Sequence, residues 1–158
     1  MIVTPHGRNH GRLMAPDLVP RLPHATDNFP LLSFKDIYAT TGVIGLRLGD
    51  RARELARQPV RIRGYMAPPI VDAADYFILT RSPALTCPFC EPGSGWPDDV
   101  VLVQLERDSR FVDPSQPIEV AGTFDIGAAR DERTGTLRLV RVRDAAWHTI
   151  GRQTFGAV

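Results

Sequence analysis

The hydrophobic and polar positions of this chain change period once before residue 59 and then settle on alternation. From Asp50 to Gln58 the spacing is helical: Ala52, Leu55 and Ala56 share one face, Asp50 can cap the first turn, and Pro59 ends the element. Val60, Ile62 and Gly64 then alternate with Arg61 and Arg63, and Tyr65-Met66-Ala67-Pro68-Pro69 closes a strand. Tyr76 to Thr80 and Val100 to Leu105 are short continuous apolar runs, suited to strands covered on both sides. The clearest period of two places Ile118, Val120, Gly122, Phe124 and Ile126 on one face, with Glu119, Ala121, Thr123 and Asp125 on the other. Leu137 and Leu139, then Val140 and Val142, keep the alternation but switch phase between 139 and 140, which predicts a bulge there. The polar run Asp131 to Gly135 joins the last two strands as a hairpin.

Five short strands, one short helix and a glycine inside two of the strands predict a mainly β fold. The expected form is a small five-stranded antiparallel barrel of the oligonucleotide/oligosaccharide-binding (OB) kind, with an open antiparallel sandwich as the alternative. Gly64 and Gly122 are the expected bend points, and Ile62, Ile78, Leu102, Val120 and Phe124 the expected interior. Residues 1–30 read as an extended N-terminal arm, because Pro5, Pro16, Pro20, Pro23 and Pro30 recur without periodic apolar spacing. Residues 31–158 then form a single barrel domain, with Leu31 to Lys35 as a short strand or docking segment and Ile44, Leu46 and Leu48 as a second extended candidate.

Composition narrows the function more than the fold. At 158 residues, 43% hydrophobic and 23% charged, the chain has room for one core, and its net charge of +1 offers no electrostatic argument for nucleic acid or an anionic membrane. No apolar run approaches the roughly 18 residues of a membrane span. Arg61, Arg63, Arg138, Arg141 and Arg143 are not interleaved with aromatic residues, so they read as solvated strand faces rather than a nucleic-acid surface. A secretory signal pattern is absent between Met1 and Met14, which makes the cytoplasm the expected compartment. Asp98 and Asp99 are adjacent at a strand entry and would point to opposite faces, and no glycine-rich phosphate loop, Ser-His-Asp order or H-E-x-x-H occurs. Catalysis is therefore not the expected activity.

Chemistry concentrates in one loop, where the only two cysteines form Cys87-Pro88-Phe89-Cys90, followed by Glu91-Pro92-Gly93-Ser94-Gly95-Trp96-Pro97. The bare tetrapeptide is similar to a glutaredoxin site, but two prolines and two glycines within seven residues prevent the helix that would lower the pKa of Cys87. No Lys, Arg or His lies within five residues to replace it. Cys-Pro-x-Cys is also one knuckle of a zinc ribbon, two thiolates aimed at one ion with the second pair missing. Further ligands would come from His6, His10, His24, His148, Glu91, Asp98, Asp99 or the same loop of a second copy. Trp96 reads as a packing anchor. If the second and fifth strands run down to the same end of the barrel, the loop from Arg81 to Asp99 meets the tail Asp144-Ala145-Ala146-Trp147-His148. Cys87, Cys90 and His148 are then the expected metal ligands.

The stretch Gly64-Tyr65-Met66-Ala67-Pro68-Pro69, with Phe77-Ile78-Leu79, the cysteine loop, Trp96 to Val100 and Pro117 to Phe124, resembles a bacterial family of small β-barrel proteins. Its members carry a Gly-aromatic-Met-x-Pro strand end and a Cys-containing loop. The resemblance implies an accessory binding role beside transporter components, and export to the periplasm as the alternative compartment. The expectation is a non-enzymatic binding or accessory protein whose C-x-x-C loop holds a metal ion, zinc by its ligands, with a protein partner or a second copy. The alternatives are a thiol–disulfide redox protein and a structural or interaction module with incidental cysteines.

Overall fold

The structure, a computed structural model, describes residues 28–40, 47–68, 75–84, 100–106, 111–130 and 137–155. In chain order these form helix α1 (Phe34–Ile37), strands β1 (Tyr38–Thr40) and β2 (Arg47–Leu48), and helix α2 (Asp50–Glu54). Strands β3 (Pro59–Met66), β4 (Tyr76–Thr80), β5 (Val100–Leu105), β6 (Pro117–Arg130) and β7 (Leu137–Thr149) follow, then helix α3 (Arg152–Phe155). The mainly β expectation holds, and β3 to β7 close on themselves in the order β3-β4-β5-β7-β6.

One pairing departs from the expected all-antiparallel sheet. β7 lies parallel to β5, with Leu102 opposite Arg141 and Val103 opposite Val142, while the remaining pairs in the ring are antiparallel. The sheet is mixed because β6 is inserted between β3 and β7, so β7 returns beside β5 in the same direction.

Alternation along β6 sets the interior as its pattern predicts. Ile118, Val120 and Phe124 are buried without exposed surface, together with Val60 and Ile62 of β3, Leu79 of β4, Val101 and Val103 of β5, and Val142 of β7. Ile78 and Leu102 are also buried, but they correct the expected core list. They belong to a second, smaller cluster with Ala67 and Val100, separate from the main core. The cause is period two in β4 and β5: Phe77, Leu79, Val101 and Val103 take the inner positions, so their neighbours must face out. A continuous apolar run hides that choice.

The last strand runs five residues past the expected end at Asp144, and Trp147 closes the core at 2% exposure. Two register breaks make this possible. Ala121 faces Ala146 while Thr123 faces Arg143, so β7 carries an extra residue near Asp144, whose φ is 51. The phase switch expected between 139 and 140 is absorbed on the partner strand: Ile126 faces Val140 and Ala129 faces Arg138, so the extra residue is on β6. The turn 131–136 lies outside the described residues, but Arg130 opposite Leu137 shows the hairpin.

Before the barrel, Ser33 caps α1 through a reciprocal capping box with Asp36, and the segment contributes Leu32, Phe34, Ile37, Tyr38 and Ala52 to the main core. The expected helix is shorter than its pattern: Gly49 takes the cap position, Asp50 sits in the first turn, and the helix ends at Glu54. Only a two-residue β2 appears from the second extended candidate, since 41–46 lie outside the described residues. Leu31 forms a parallel bridge to Arg61. Leu32 N–H donates to Arg61 C=O at 2.8 Å, and Arg61 N–H donates to Pro30 C=O at 2.9 Å. Residues 30–32 thus occupy the edge of β3 that β4 leaves uncovered, because β4 pairs with β3 only at Tyr65 and Met66. Residues 1–27 lie outside the described residues, so the expected arm has no structural account.

Gly64 and Gly122 stand where strands approach too closely for a side chain. A Cβ on Gly64 would come within 2.6 Å of the Thr80 carbonyl oxygen, and one on Gly122 within 2.7 Å of the Arg143 carbonyl oxygen. Gly64→Ala and Gly122→Ala should each destabilise the barrel by about 1–3 kcal/mol, the usual range for overpacking. Urea denaturation checks this; midpoints equal to the parent's would mean that the backbones are farther apart than the barrel requires.

Candidate functional site

Cys87 and Cys90 lie in the segment 85–99, outside the described residues, as do Glu91, Trp96, Asp98, Asp99, His6, His10 and His24. What is described is how the segment is anchored. Thr80, near its start, faces Val100, where β5 begins, and the Thr80 hydroxyl donates to the Ser82 carbonyl at 2.8 Å. The Tyr38 hydroxyl donates to the Val100 carbonyl in a buried hydrogen bond, tying the same point to the segment before the barrel.

His148 is placed differently from the sequence-based expectation. It belongs to β7 and faces Glu119 of β6, with Trp147 beside it turned into the core. Its Nδ1 is buried and has no hydrogen-bond partner among the described residues. The premise that brought it to the cysteine loop is overturned by the parallel β5–β7 pair. β7 runs opposite to β4, so the β4–β5 connection sits at the end where β7 begins, whereas His148 is near the end where β7 finishes. Among the described residues no group of three or more His, Cys, Asp or Glu side chains could hold a metal ion.

The charged groups that the structure does gather are on the outer face of β3, β6 and β7. Glu119, only 5% exposed, accepts from Arg63 Nε at 2.7 Å and Arg61 Nη1 at 3.3 Å. Asp125, 8% exposed, accepts through one oxygen from Arg141 Nε at 2.9 Å and Nη2 at 2.6 Å, with Arg143 Nε at 3.4 Å. The hydrogen bond from Arg141 holds the Asp125 carboxyl below the ordinary aspartate range. Burial opposes this shift, and the positive charges of Arg141, Arg143 and Arg57 reinforce it.

Arg61, Arg63 and Arg141 are therefore not the solvated strand faces expected from sequence; they neutralise carboxylates that the sheet has taken out of water. The signal was present as two Arg-x-Arg doublets beside a strand carrying Glu119 and Asp125 on its polar face. Which doublet meets which acid depends on register, and that is set by tertiary pairing: Arg63 opposite Glu119, Arg141 opposite Asp125.

No family model matches this chain. A search of curated proteins finds no match. Among solved structures, the crystal structure of a DUF3299 family protein from Pseudomonas aeruginosa PAO1 is similar in fold, with a TM-score of 0.54 and 15% sequence identity. The match covers 78% of this chain and 97% of that one. The barrel is thus an architecture shared with a bacterial protein of that family, and at this identity the likeness concerns the fold alone.

A folded-state carboxyl pKa below the unfolded value means that Asp125 stabilises the native state above about pH 4, the unfolded aspartate value. The contribution fades as pH falls through the lower, folded value. Asp125→Asn should destabilise by about 1–3 kcal/mol at pH 7, and the gap to the parent should narrow steadily below pH 4. Chemical denaturation of both proteins from pH 7 to pH 2.5 tests this; a gap independent of pH would separate the ion pair from folding. Glu119→Gln, which leaves two arginines around a neutral amide, should cost about 3 kcal/mol. A loss under 0.5 kcal/mol, the usual range for a neutral surface change, would rule out that coupling.

Proposed function

We propose that this chain is a non-enzymatic binding or accessory protein built on an OB-type barrel, and that its Cys87-Pro88-Phe89-Cys90 loop binds a metal ion. The OB assignment is supported by the order of the five barrel strands. Numbered within the barrel they follow 1-2-3-5-4, with the third and fifth parallel, and the fourth paired with the first to close the ring. The observation that carries the binding role is the position of the C-x-x-C pair. Both cysteines of the chain fall in one connection between β4 and β5, whose two ends are held together by the Thr80–Val100 pair and the Tyr38 bond. Fixing both ends lowers the cost of ordering two thiolates around one ion.

Zinc is the metal that two thiolates favour in a closed tetrahedral set. The remaining ligands come from carboxylates of the same segment, Glu91, Asp98 or Asp99, or from a second copy, rather than from His148. When bound, the ion would cross-link the loop; no described side chain reacts through it. The resemblance of the strand end Gly64 to Pro69 to transporter-associated barrel proteins supports a protein partner as the wider context.

Metal analysis of protein purified without chelator should find close to one equivalent of zinc per chain, or one per two chains if the site is shared. Cys87→Ser and Cys90→Ser should each abolish retention, whereas His148→Ala should leave metal content unchanged. Full metal content in either serine variant would end the metal reading. A disulfide in the freshly isolated protein, found by mass spectrometry before and after alkylation, would move the assignment to the thiol–disulfide alternative.

A further inference from the structure

We propose that Arg57, Arg141 and Arg143, gathered around Asp125 on the outside of the barrel, form a binding site for the phosphate group of a phosphorylated ligand. The site is separate from the cysteine loop and does not depend on metal binding there.

Its construction begins in the backbone. Arg57 lies in the turn between α2 and β3 with φ 65, a left-handed conformation that glycine or asparagine would take at lower cost. Two hydrogen bonds lock the turn onto β6: Arg57 N–H donates to Phe124 C=O at 2.6 Å, and Phe124 N–H donates to Gln58 C=O at 2.9 Å. This puts a cationic residue with a strained backbone on the turn bonded to Phe124, the neighbour of Asp125, where its positive charge favours the ionised carboxylate.

The arginines outnumber what the fold needs. Arg141 alone satisfies the Asp125 oxygen with two hydrogen bonds. Arg143 adds a 3.4 Å contact to that same oxygen while its side chain stays 46% exposed. Arg57 is exposed and makes no side-chain hydrogen bond or ion pair among the described residues. Two guanidinium groups therefore contact one carboxylate, and a third arginine stands on the turn bonded to the residue before Asp125. Asp144, next to Arg143 on β7, and Glu54, three residues before Arg57 on α2, are exposed acids nearby in sequence. Arg51 of the same helix is a further exposed cation and Arg53 is paired with Asp50, so outside that pair the corner holds four arginines, Arg51, Arg57, Arg141 and Arg143, against the three carboxylates of Glu54, Asp125 and Asp144.

Free guanidinium N–H groups in a fixed fork match the oxygens of a phosphate better than a point charge would. Asp125 acts as the internal anchor, holding Arg141 flat against the strand so that Arg57 and Arg143 are left to the ligand. Pairing partners fix the anchor in place, since Asp125 faces Arg141 and Thr123 faces Arg143 across the β6–β7 ladder.

The probe is inorganic pyrophosphate, titrated by calorimetry into the full chain at constant ionic strength, with vesicles containing phosphatidylglycerol in a parallel sedimentation assay. Saturable pyrophosphate binding is expected, weakened about tenfold or more by R57Q and by R143Q, as loss of one charge-assisted hydrogen-bonded contact implies. Arg57→Gly gives a separate signature: relief of the left-handed backbone should raise the melting temperature while binding falls. Pyrophosphate binding without vesicle binding assigns a soluble phosphorylated ligand, and arginine-dependent binding of both assigns a lipid headgroup. Absence of binding to either probe, or binding unchanged in both R57Q and R143Q, overturns the proposal.

Discussion

The structure depends on β6 being hydrogen-bonded along both edges. From Pro117 to Thr123 it pairs with β3 on one side and largely with β7 on the other, and a strand held in this way cannot slip without breaking two ladders. Its period of two then becomes a partition of space. Ile118, Val120 and Phe124 must go into the barrel, and Glu119 and Asp125 must go out onto a face where the neighbouring strands supply arginines. A one-residue slip would bring Glu119 inward and Val120 outward, so apolar burial and charge pairing select the same register.

The outer face shows why such pairs specify more than they stabilise. Arginine–carboxylate pairs withdrawn from water recover in Coulomb attraction roughly what they lose in hydration. What they add is discrimination, because an arginine facing the wrong residue leaves a carboxylate dry and unpaired. Glu119 and Asp125 are both close to fully covered, yet each is met by an arginine directly opposite in the ladder. The two bulges serve the same end. An extra residue on β7 near Asp144 and another on β6 after Ile126 restore inward phase, so that Val140, Val142, Ala145 and Trp147 all reach the core.

The candidate chemistry was legible in parts. A C-x-x-C pair in a connection between two strands is plain from the chain itself, and the anchoring of both ends is a property that only contacts could add. The premise that brings His148 to the cysteine loop fails on direction. Proximity across a barrel depends on which strands run together, and the parallel β5–β7 pair sends His148 to the other end of its strand. Net charge and the lack of interleaved aromatics describe a surface only on average, so they predict solvated arginines; burial of a particular pair depends on what lies opposite.

Period-two alternation determined β3, β6, β7 and the inner face of β6, continuous apolar runs marked β4 and β5, and the chain itself singled out Gly64 and Gly122, expected as bend points and found where strands cross closely. Local chemistry also marked where the helix before β3 begins, within one residue. Tertiary structure alone decided the parallel return of β7, the outward turn of Ile78 and Leu102, the placement of the compensating bulges, and the pairing of each arginine doublet with its acid. These are long-range choices among arrangements that satisfy the same local pattern. They are settled by which one buries the apolar faces together while leaving neither buried carboxylate among the described residues, Glu119 or Asp125, unpaired.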